Sequence, residues 1–234
     1  MRSFAVRSSE NELMDGADVS PDEFAACLAS LASANTATRA RPPTLAWLAR
    51  ATRGLPRGAN ISVVDVGFGE GDMLRAVHRW ASRRGLQSRL VGMDLNPRSA
   101  PVARARTDSR SGIVYRTGDA FADPTRVDVV ISSLTAHHMS DDEIVRFIRW
   151  MEAVTARGWF INDLHRHPIA FYGFKALSWA ARWHRFVQHD GPISVARSFR
   201  KADWLRLLRK AGVNLANVEI RWRFPFRLCV GRLM

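Results

Sequence analysis

The chain has 234 residues, of which 47% are hydrophobic, and a formal net charge of +13 at pH 7. This length and apolar content are sufficient for one α/β domain with an N-terminal extension. No apolar stretch approaches the ~18 residues of a membrane-spanning helix, and the acidic N-terminus lacks the apolar core of a signal peptide. The two cysteines lack the spacing of metal ligands, so we expect reduced thiols in a cytoplasmic protein.

The positive charge is spread along the chain without long basic runs, although it is highest over residues 157–234. A basic face in that part would suit an acidic substrate, an acyl carrier partner or an anionic membrane surface. Solvated arginines are the simpler interpretation, which we favour.

The first predicted elements are helices ahead of the main domain. Ser20-Pro21-Asp22-Glu23 has the cap, the proline and the acid typical of a helix start, and a second helix is predicted over 43–52. Residues 1–9 are expected to be disordered. We therefore assign residues 1–55 to an N-terminal helical extension or cap and residues 56–234 to the main domain.

From residue 61 onward, predicted strands and helices alternate, which is typical of a doubly wound α/β sheet. The predicted strands cover 61–66, 89–94, 113–116, 127–132 and 158–163, and the helices between them cover 72–84, 98–106 and 141–156. A further helix over 201–211 leads to strands over 215–222 and 224–231, which we expect to form an antiparallel hairpin.

The run Asp65-x-Gly67-x-Gly69-x-Gly71 joins the first strand to the first helix of this core. Glycines at alternate positions let a ligand approach the backbone, and the helix start adds free N–H groups. The spacing differs from the G-x-G-x-x-G of dinucleotide sites, and Asp65 would repel a pyrophosphate. The turn therefore favours a ligand with an amine-bearing end over a phosphate.

Two further carboxylates follow the next two strands. Asp94 ends the second strand, where an acid accepts hydrogen bonds from the hydroxyls of a ribose. Asp119 follows the third strand, where it can accept from the exocyclic amine of an adenine. A ligand with an amino acid end, a ribose, an adenine and no phosphate is S-adenosylmethionine, which we therefore predict as the cofactor.

These features resemble class I S-adenosylmethionine-dependent methyltransferases over about residues 60–230. The resemblance implies a Rossmann-like, mostly parallel seven-stranded sheet with an antiparallel last strand, and N-terminal helices that cover the cofactor. The cofactor-binding residues that it implies are Asp65, Gly67, Phe68, Gly69, Gly71, Asp94, Leu95, Asp119, Ala120 and Ser133.

Two histidines and an aspartate follow strands four and five, at the edge where such sheets bind ligands. His137 and His138 come after the fourth strand and Asp163 ends the fifth, so an imidazole and a carboxylate can meet. In similar small-molecule methyltransferases such a pair deprotonates a hydroxyl, because the carboxylate orients the ring and raises its basicity. We favour His137 as the base, with His138 close behind; the alternative is that both cap the next helix or fill space. No metal site is expected, because the acids near the strand ends are assigned to the cofactor.

The segment 164–198 is rich in aromatic residues and is predicted to form one or two helices that act as a lid over the site. Trp179 and Trp183 are expected to contact an apolar or aromatic acceptor, and Asp190-Gly191-Pro192 has the composition of a turn. The other rings are expected to pack the lid on the core. An amphipathic helix at a membrane surface is the alternative, since basic residues flank the rings.

Residues 162–166, 189–195 and 223–227 make the C-terminal part similar to bacterial methyltransferases of aromatic polyketide or quinone biosynthesis. We therefore expect O-methylation of a phenolic or similar hydroxyl on an apolar or aromatic small molecule. C-methylation of a lipid-like quinone precursor is the alternative, and a non-catalytic S-adenosylmethionine-binding protein is less favoured. Nucleic-acid methylation is disfavoured, because Ser132-Ser133-Leu134-Thr135 replaces the Asn/Asp-Pro-Pro-aromatic motif that would hold a flipped base. Peripheral membrane contact and a homodimer both remain open.

Overall fold

The computed structural model describes residues 3–16 and 18–234. Its α-helices are α1 (Pro21–Ala37), α2 (Arg41–Ala51), α3 (Asp72–Arg83), α4 (Ser99–Ala105), α5 (Asp141–Val154), α6 (Pro168–Ala180), α7 (Arg185–Arg197) and α8 (Lys201–Ala211). Its strands are β1 (Asn60–Val66), β2 (Gln87–Asp94), β3 (Val114–Thr117), β4 (Val127–Ser133), β5 (Thr155–Leu164), β6 (Val218–Arg223) and β7 (Arg227–Leu233). Among these described residues, no helix has both the length and the apolar character needed to cross a membrane.

The strands form one sheet in the order β3-β2-β1-β4-β5-β7-β6. Strands β1 to β5 pair in parallel, whereas β7 runs antiparallel to both β5 and β6. The predicted Rossmann-like, doubly wound sheet with an antiparallel last strand is therefore confirmed. From β1 the chain adds β2 and β3 on one side of the sheet and then β4 and β5 on the other. This change of direction between β1 and β4 is a topological switch point, which opens a crevice at the carboxyl ends of the strands.

Each face of the sheet carries its own apolar core. On one face α5 and α8 pack around the fully buried Trp159 and Trp204. On the other face α2, α3 and α4 cover the sheet, and the rings of Trp47 and Phe160 stack with centroids 5.3 Å apart. Burial on both faces explains why the middle of β4, Val129–Ile131, is wholly apolar.

The segment between β5 and α8 forms two helices, α6 and α7, within the range predicted for a lid. The turn predicted at Asp190-Gly191-Pro192 is wrong, because these residues lie inside α7. A Cβ on Gly191 would lie 2.0 Å from the ring of Phe174, so this glycine allows α6 and α7 to approach closely. Tertiary packing here overrides the local preference for a turn.

Residues 3–16, called the N-terminal strap below, run from α6 and α7 to the edge of the sheet. The disorder expected for residues 1–9 is wrong for residues 3–9, and residues 1 and 2 lie outside the described part. Phe4 is buried against Phe171, with ring centroids 5.5 Å apart. The buried guanidinium of Arg166 donates to the carbonyl of Phe4 at 3.0 Å. A polar segment is thus ordered by a buried arginine far away in the chain.

Candidate active site

A cavity of about 710 Å³ lies at the carboxyl ends of the central strands. The glycine turn after β1 and the ends of β2 and β4 form its floor, and α1, α6 and α7 form its walls. Residues Phe24, Leu28 and Leu31 of α1 line it, so an N-terminal helix covers this site, as the resemblance implies. The volume lies within the ~300–1,000 Å³ typical of sites for small ligands and cofactors.

The three glycines of the turn after β1 differ in what they permit. All have positive φ, at 76° for Gly67, 55° for Gly69 and 77° for Gly71. A Cβ on Gly67 would lie 2.1 Å from Oγ1 of Thr135, and one on Gly71 would lie 2.3 Å from the hydroxyl of Tyr115. A Cβ on Gly69 would meet no heavy atom closer than 3.8 Å. Gly69 is therefore the glycine that keeps space open above the backbone, whereas the other two allow close packing.

Asp94 ends β2 and lines the cavity. Its Oδ2 accepts from the backbone N–H of Gly69 at 3.0 Å, and its Oδ1 accepts from that of Asn96 at 2.9 Å. Burial raises the pKa of Asp94, and these two hydrogen bonds oppose the rise. A carboxylate held in this way beside the turn is well placed to accept from the hydroxyls of a ribose.

Asp65 lies fully buried beneath the glycine turn and is not part of the cavity lining. Among the described residues, neither of its carboxylate oxygens has a hydrogen-bond partner. Burial raises the pKa of Asp65 well above its usual value, and the charges of Asp72 and Asp94 raise it further. A cation resting on the turn would offset this cost, so these residues fit S-adenosylmethionine, which carries an ammonium and a sulfonium group.

The other residues predicted to bind the cofactor are mostly brought together around the cavity. Those that line it are Gly67, Phe68, Gly69, Asp94, Leu95, Asp119, Ala120 and Ser133. Asp119 caps the short helical turn after β3, where its Oδ1 accepts from the N–H of Phe121 at 2.9 Å. Gly71 lies outside the lining, at the left-handed start of α3.

His137 and Asp163 form a buried pair in this site, with exposures of 3% and 0%. Nδ1 of His137 lies 2.7 Å from Oδ1 of Asp163, and the backbone N–H of His137 donates to Oδ2 at 2.9 Å. Burial alone would raise the pKa of Asp163, but the His137 imidazole and the backbone donors of Leu164 and His137 lower it below its usual value. The ionised carboxylate therefore holds the proton on Nδ1 and leaves Nε2 as the proton acceptor.

Two arginines hold the backbone turn that carries His137. Arg7 of the strap donates to the carbonyl of His137 at 3.2 Å and to that of Met139 at 2.7 Å. Arg197 of α7 donates to the carbonyls of His137 and His138, both at 3.3 Å. Because the turn is fixed from two sides, the imidazole of His137 has little freedom to reorient.

Glu12 of the strap is a third ionisable group in this site, which the sequence did not predict. It is buried, and its Oε1 accepts from the hydroxyl of Ser194 at 2.8 Å. The same oxygen lies 3.8 Å from Nε2 of His137, while Oε2 lies 3.7 Å from Nε2 of the partly exposed His138. The imidazoles of His137 and His138 therefore both face the carboxylate of Glu12.

Asp190 of α7 fixes the strap beside Glu12. Its carboxylate accepts from the backbone N–H groups of Leu13 at 2.8 Å and Met14 at 3.0 Å. The strap and the lid therefore close the site as one unit. The sequence contains one local sign of this contact: the acidic Glu12 is followed by the apolar Leu13 and Met14 in an otherwise polar segment. This pattern does not identify the partner of the strap.

Glu12, His137 and His138 are also the group of potential metal ligands found among the described residues, with ligand atoms within 4.8 Å of one another. Each Glu12 oxygen faces a different imidazole, at 3.8 and 3.7 Å. These separations exceed the ~3.4 Å between ligand atoms of a tetrahedral zinc with bonds of ~2.1 Å. The arrangement better matches a hydroxyl that hydrogen-bonds to carboxylate and imidazole together.

The tryptophans predicted to contact the acceptor do not line the cavity. Trp179 is 75% exposed, and Trp183 packs on Phe174 with ring centroids 5.8 Å apart. The lid instead contributes Phe174, Leu177 and Phe186 to the lining. The lid is therefore apolar towards the cavity, as predicted, but through other side chains.

Comparison with known proteins agrees with this geometry. The family model described as a methyltransferase domain matches residues 63–158, and no curated protein matches the chain. The plantazolicin methyltransferase structure is similar at 11% identity, with a TM-score of 0.62 over 91% of this chain and 96% of that one. An S-adenosylmethionine-dependent methyltransferase from Aquifex aeolicus has 14% identity and a TM-score of 0.58, over 83% and 90%. Magnesium protoporphyrin IX methyltransferase from Synechocystis PCC 6803 has 15% identity and a TM-score of 0.55, over 84% and 82%.

The fold is that of the S-adenosylmethionine-dependent methyltransferases to which the chain is similar, and a methyltransferase domain matches residues 63–158, which include the glycine turn and Asp94. The protein is accordingly a transferase enzyme whose cofactor is S-adenosylmethionine.

Proposed function

We propose that this enzyme methylates a hydroxyl group, most simply a phenolic one, on an apolar aromatic small molecule. The observation that carries the proposal is the 2.7 Å pair between Nδ1 of His137 and Oδ1 of Asp163 at the cavity. Methyl transfer needs a base only where the nucleophile carries a proton at neutral pH, as a phenol does. His137 is buried, and its Nε2 faces the part of the cavity where we expect the acceptor. It therefore favours an acceptor whose nucleophilic atom carries a proton.

S-adenosylmethionine, when bound, would supply an electrophilic methyl group on a positively charged sulfonium. The acceptor oxygen would bond to the methyl carbon while the carbon–sulfur bond breaks, and sulfur would keep that electron pair and leave as a neutral thioether. The hydroxyl proton passes to Nε2 of His137, and the carboxylate of Asp163 stabilises the imidazolium that results. The products are the methyl ether and S-adenosylhomocysteine, and His137 returns its proton to solvent.

Glu12 would give the acceptor hydroxyl a second partner. Its Oε1 lies 3.8 Å from Nε2 of His137, so one oxygen atom can reach hydrogen-bond distance of both. We therefore assign Glu12 to orienting the acceptor and His137 to deprotonating it.

The cavity lining supports an apolar acceptor. Apolar side chains from three helices face it, among them Leu31 of α1, Leu177 of α6 and Phe186 of α7. The similar structures include the methyltransferases of plantazolicin and of magnesium protoporphyrin IX. An apolar pocket with a few polar groups at one end is typical of sites that orient such ligands.

An acceptor panel tests this proposal. Phenols, catechols, resorcinols and hydroquinones with and without alkyl chains are incubated with S-adenosylmethionine bearing a deuterated methyl group, and products are located by mass spectrometry and NMR. Label on an acceptor oxygen supports the proposal. Label on a ring carbon would support C-methylation of a lipid-like quinone precursor instead. Label found only in polynucleotides or proteins would exclude both small-molecule reactions.

A further inference from the structure

One face of α6 and the nearby end of the β6–β7 hairpin expose large apolar side chains. This face, called the α6 surface, comprises Ile169, Tyr172, Leu177, Trp179, Trp222 and Phe224. Trp179 is 75% exposed and Phe224 is 69% exposed, so neither ring is held there by packing in the core. Several exposed large apolar side chains grouped on one face mark an interaction surface.

The helix and the hairpin form one continuous surface. His167, which caps the start of α6, stacks on Phe226 with centroids 5.3 Å apart, and Phe226 contacts Trp222 at 5.9 Å. Ile169 and Leu177 are exposed and also line the cavity. The α6 surface therefore lies at the rim of the cavity rather than on a remote side of the molecule.

The charge of this region is positive. No Asp or Glu occurs between Asp163 and Asp190, whereas the exposed Lys175 and Arg182 lie on or just after α6. Tryptophan and tyrosine side chains beside lysine and arginine are typical of helices that lie in the interface of an anionic membrane. Each basic residue near such a surface contributes attraction to its phospholipid headgroups.

A second copy of this chain would be a poorer partner for the same face. A symmetric dimer places equivalent patches against each other, so Lys175 and Arg182 would approach their own counterparts. The segment 164–189 offers no carboxylate to balance them, and the whole chain carries a net charge of +13. An anionic bilayer instead supplies both the opposite charge and an apolar phase for the rings.

We propose that the α6 surface docks on an anionic lipid bilayer, with its aromatic side chains in the interface and the cavity rim facing the membrane. An apolar acceptor dissolved in the bilayer then reaches the cavity without passing through water. This inference does not depend on which acceptor atom is methylated.

Vesicle co-sedimentation of the full chain tests the inference. Phosphatidylcholine vesicles containing phosphatidylglycerol are compared with pure phosphatidylcholine vesicles, at low and high salt. We expect binding to the anionic vesicles that weakens with salt. The double variant Lys175→Glu/Arg182→Glu should lower the partition coefficient at least ~10-fold, and Trp179→Ala/Phe224→Ala should lower it by a similar factor.

Two matched variants at the opposite edge of the sheet serve as controls. Val114→Ala removes an exposed apolar side chain on β3, and Arg89→Glu reverses an exposed charge on β2; both should bind vesicles as the parent protein does. Unchanged S-adenosylhomocysteine affinity in calorimetry establishes that each variant is folded. The inference would be overturned if the protein bound both vesicle types equally, or if the control variants lost as much binding as the α6 variants. It would also be overturned if the protein bound no vesicles and formed a dimer that Trp179→Ala dissociates in ultracentrifugation.

Discussion

Nδ1 of His137 lies 2.7 Å from Oδ1 of Asp163, although the two residues are 26 positions apart in the chain. The contact exists because β4 and β5 are neighbours whose register pairs Ser133 with Asn162, one residue before Asp163. The imidazole is thereby fixed with its second nitrogen towards Glu12.

Asp163→Asn should lower turnover by ~10²–10⁴, the range for loss of general base catalysis. The amide can donate to Nδ1 and so favour the tautomer that leaves Nε2 protonated, as occurs when the aspartate of a catalytic triad becomes asparagine. His137→Gln should cause a comparable loss. Single-turnover rates of both variants and of the double variant are the measurement.

Since the two residues act as a unit, the double variant should be no slower than the slower single variant. The affinity for S-adenosylmethionine, measured by calorimetry, should change little in all three proteins. A His137→Gln variant with near-normal turnover, beside a His138→Gln variant without activity, would transfer the role of the base to His138.

Glu12→Gln should reduce turnover ~10-fold or more while leaving the affinity for S-adenosylmethionine nearly unchanged. The reason is that Glu12 faces the two imidazoles and Ser194, and not the glycine turn. The matched control is Glu10→Gln, which changes an exposed acid two residues earlier in the strap. Equal effects of the two substitutions on turnover would mean that Glu12 has no specific role in the reaction.

Asp94→Ala should weaken binding of S-adenosylmethionine by ~1.5–3 kcal/mol, the contribution of a hydrogen bond to a charged group. This corresponds to a rise in Kd of roughly 10- to 150-fold. Titration calorimetry measures the effect, with Asp108→Ala as a control that removes an exposed acid engaged by Arg110. An unchanged Kd in Asp94→Ala would remove Asp94 from the cofactor site.

Gly67→Ala and Gly69→Ala should separate folding from cofactor binding. Both residues have positive φ, but only at Gly67 does a Cβ meet the side chain of Thr135, so Gly67→Ala carries an additional overpacking cost of ~1–3 kcal/mol. Its Tm should therefore be ~2–12 °C below that of Gly69→Ala. Gly69→Ala should instead weaken S-adenosylmethionine binding more, since its methyl group enters the open space above the turn.

If Gly67→Ala lowers the Tm less in the Thr135→Gly background than in the parent protein, this division of roles is supported. Equal Tm values for the two single variants would contradict it.

Asp65→Asn should stabilise the free enzyme at neutral pH. Because burial raises the pKa of Asp65 in the folded state, folding favours its protonated form. Stability from this group is therefore present at low pH and is lost as pH rises from the unfolded-state value of ~3.9 through the higher folded-state value. The asparagine variant lacks this loss, since a neutral amide costs less to bury than a carboxylate.

Melting curves of the parent protein and Asp65→Asn from acid to neutral pH measure the difference, without and with S-adenosylhomocysteine. We expect the Tm advantage of the variant to grow with pH in the free protein and to shrink when ligand is bound. A parent protein that is more stable than the variant at neutral pH would mean that Asp65 is not an unpaired buried charge.

The sheet could be predicted from the sequence, as could the meeting of most predicted cofactor-binding residues at one cavity, because both depend on local patterns. The apolar run ending at Val66, the glycines after it and Asp94 at the end of the next strand are each specified within a few residues. The capping box of Ser140 and Glu143, another pattern specified by spacing within a few residues, has both of its hydrogen bonds.

Other parts depended on contacts that no local pattern encodes. Glu12 meets His137 across more than half of the chain, and the sequence around it, Glu10-Asn11-Glu12-Leu13-Met14, identifies no partner. Gly191-Pro192 favours a turn locally, but the packing of Phe174 against Gly191 retains it within a helix. Neither Trp179 nor Trp183 lines the cavity, because the orientation of α6 and of the turn after it decides which side chains do, and aromatic composition alone cannot specify that orientation.

Donor binding and acceptor selectivity are encoded in separate stretches of this chain, which affects how the enzyme can diverge. The glycine turn, Asp94 and Asp119 lie between β1 and β4, whereas the strap, α6 and α7 supply most of the groups that face the acceptor space. The strap and α7 are joined by the hydrogen bonds of Glu12 with Ser194 and of Leu13 with Asp190. Exchanging both segments together between homologues could retarget the enzyme with its donor site intact, whereas exchanging one alone would break those bonds. The strap and α7 are therefore expected to have been inherited as a matched set.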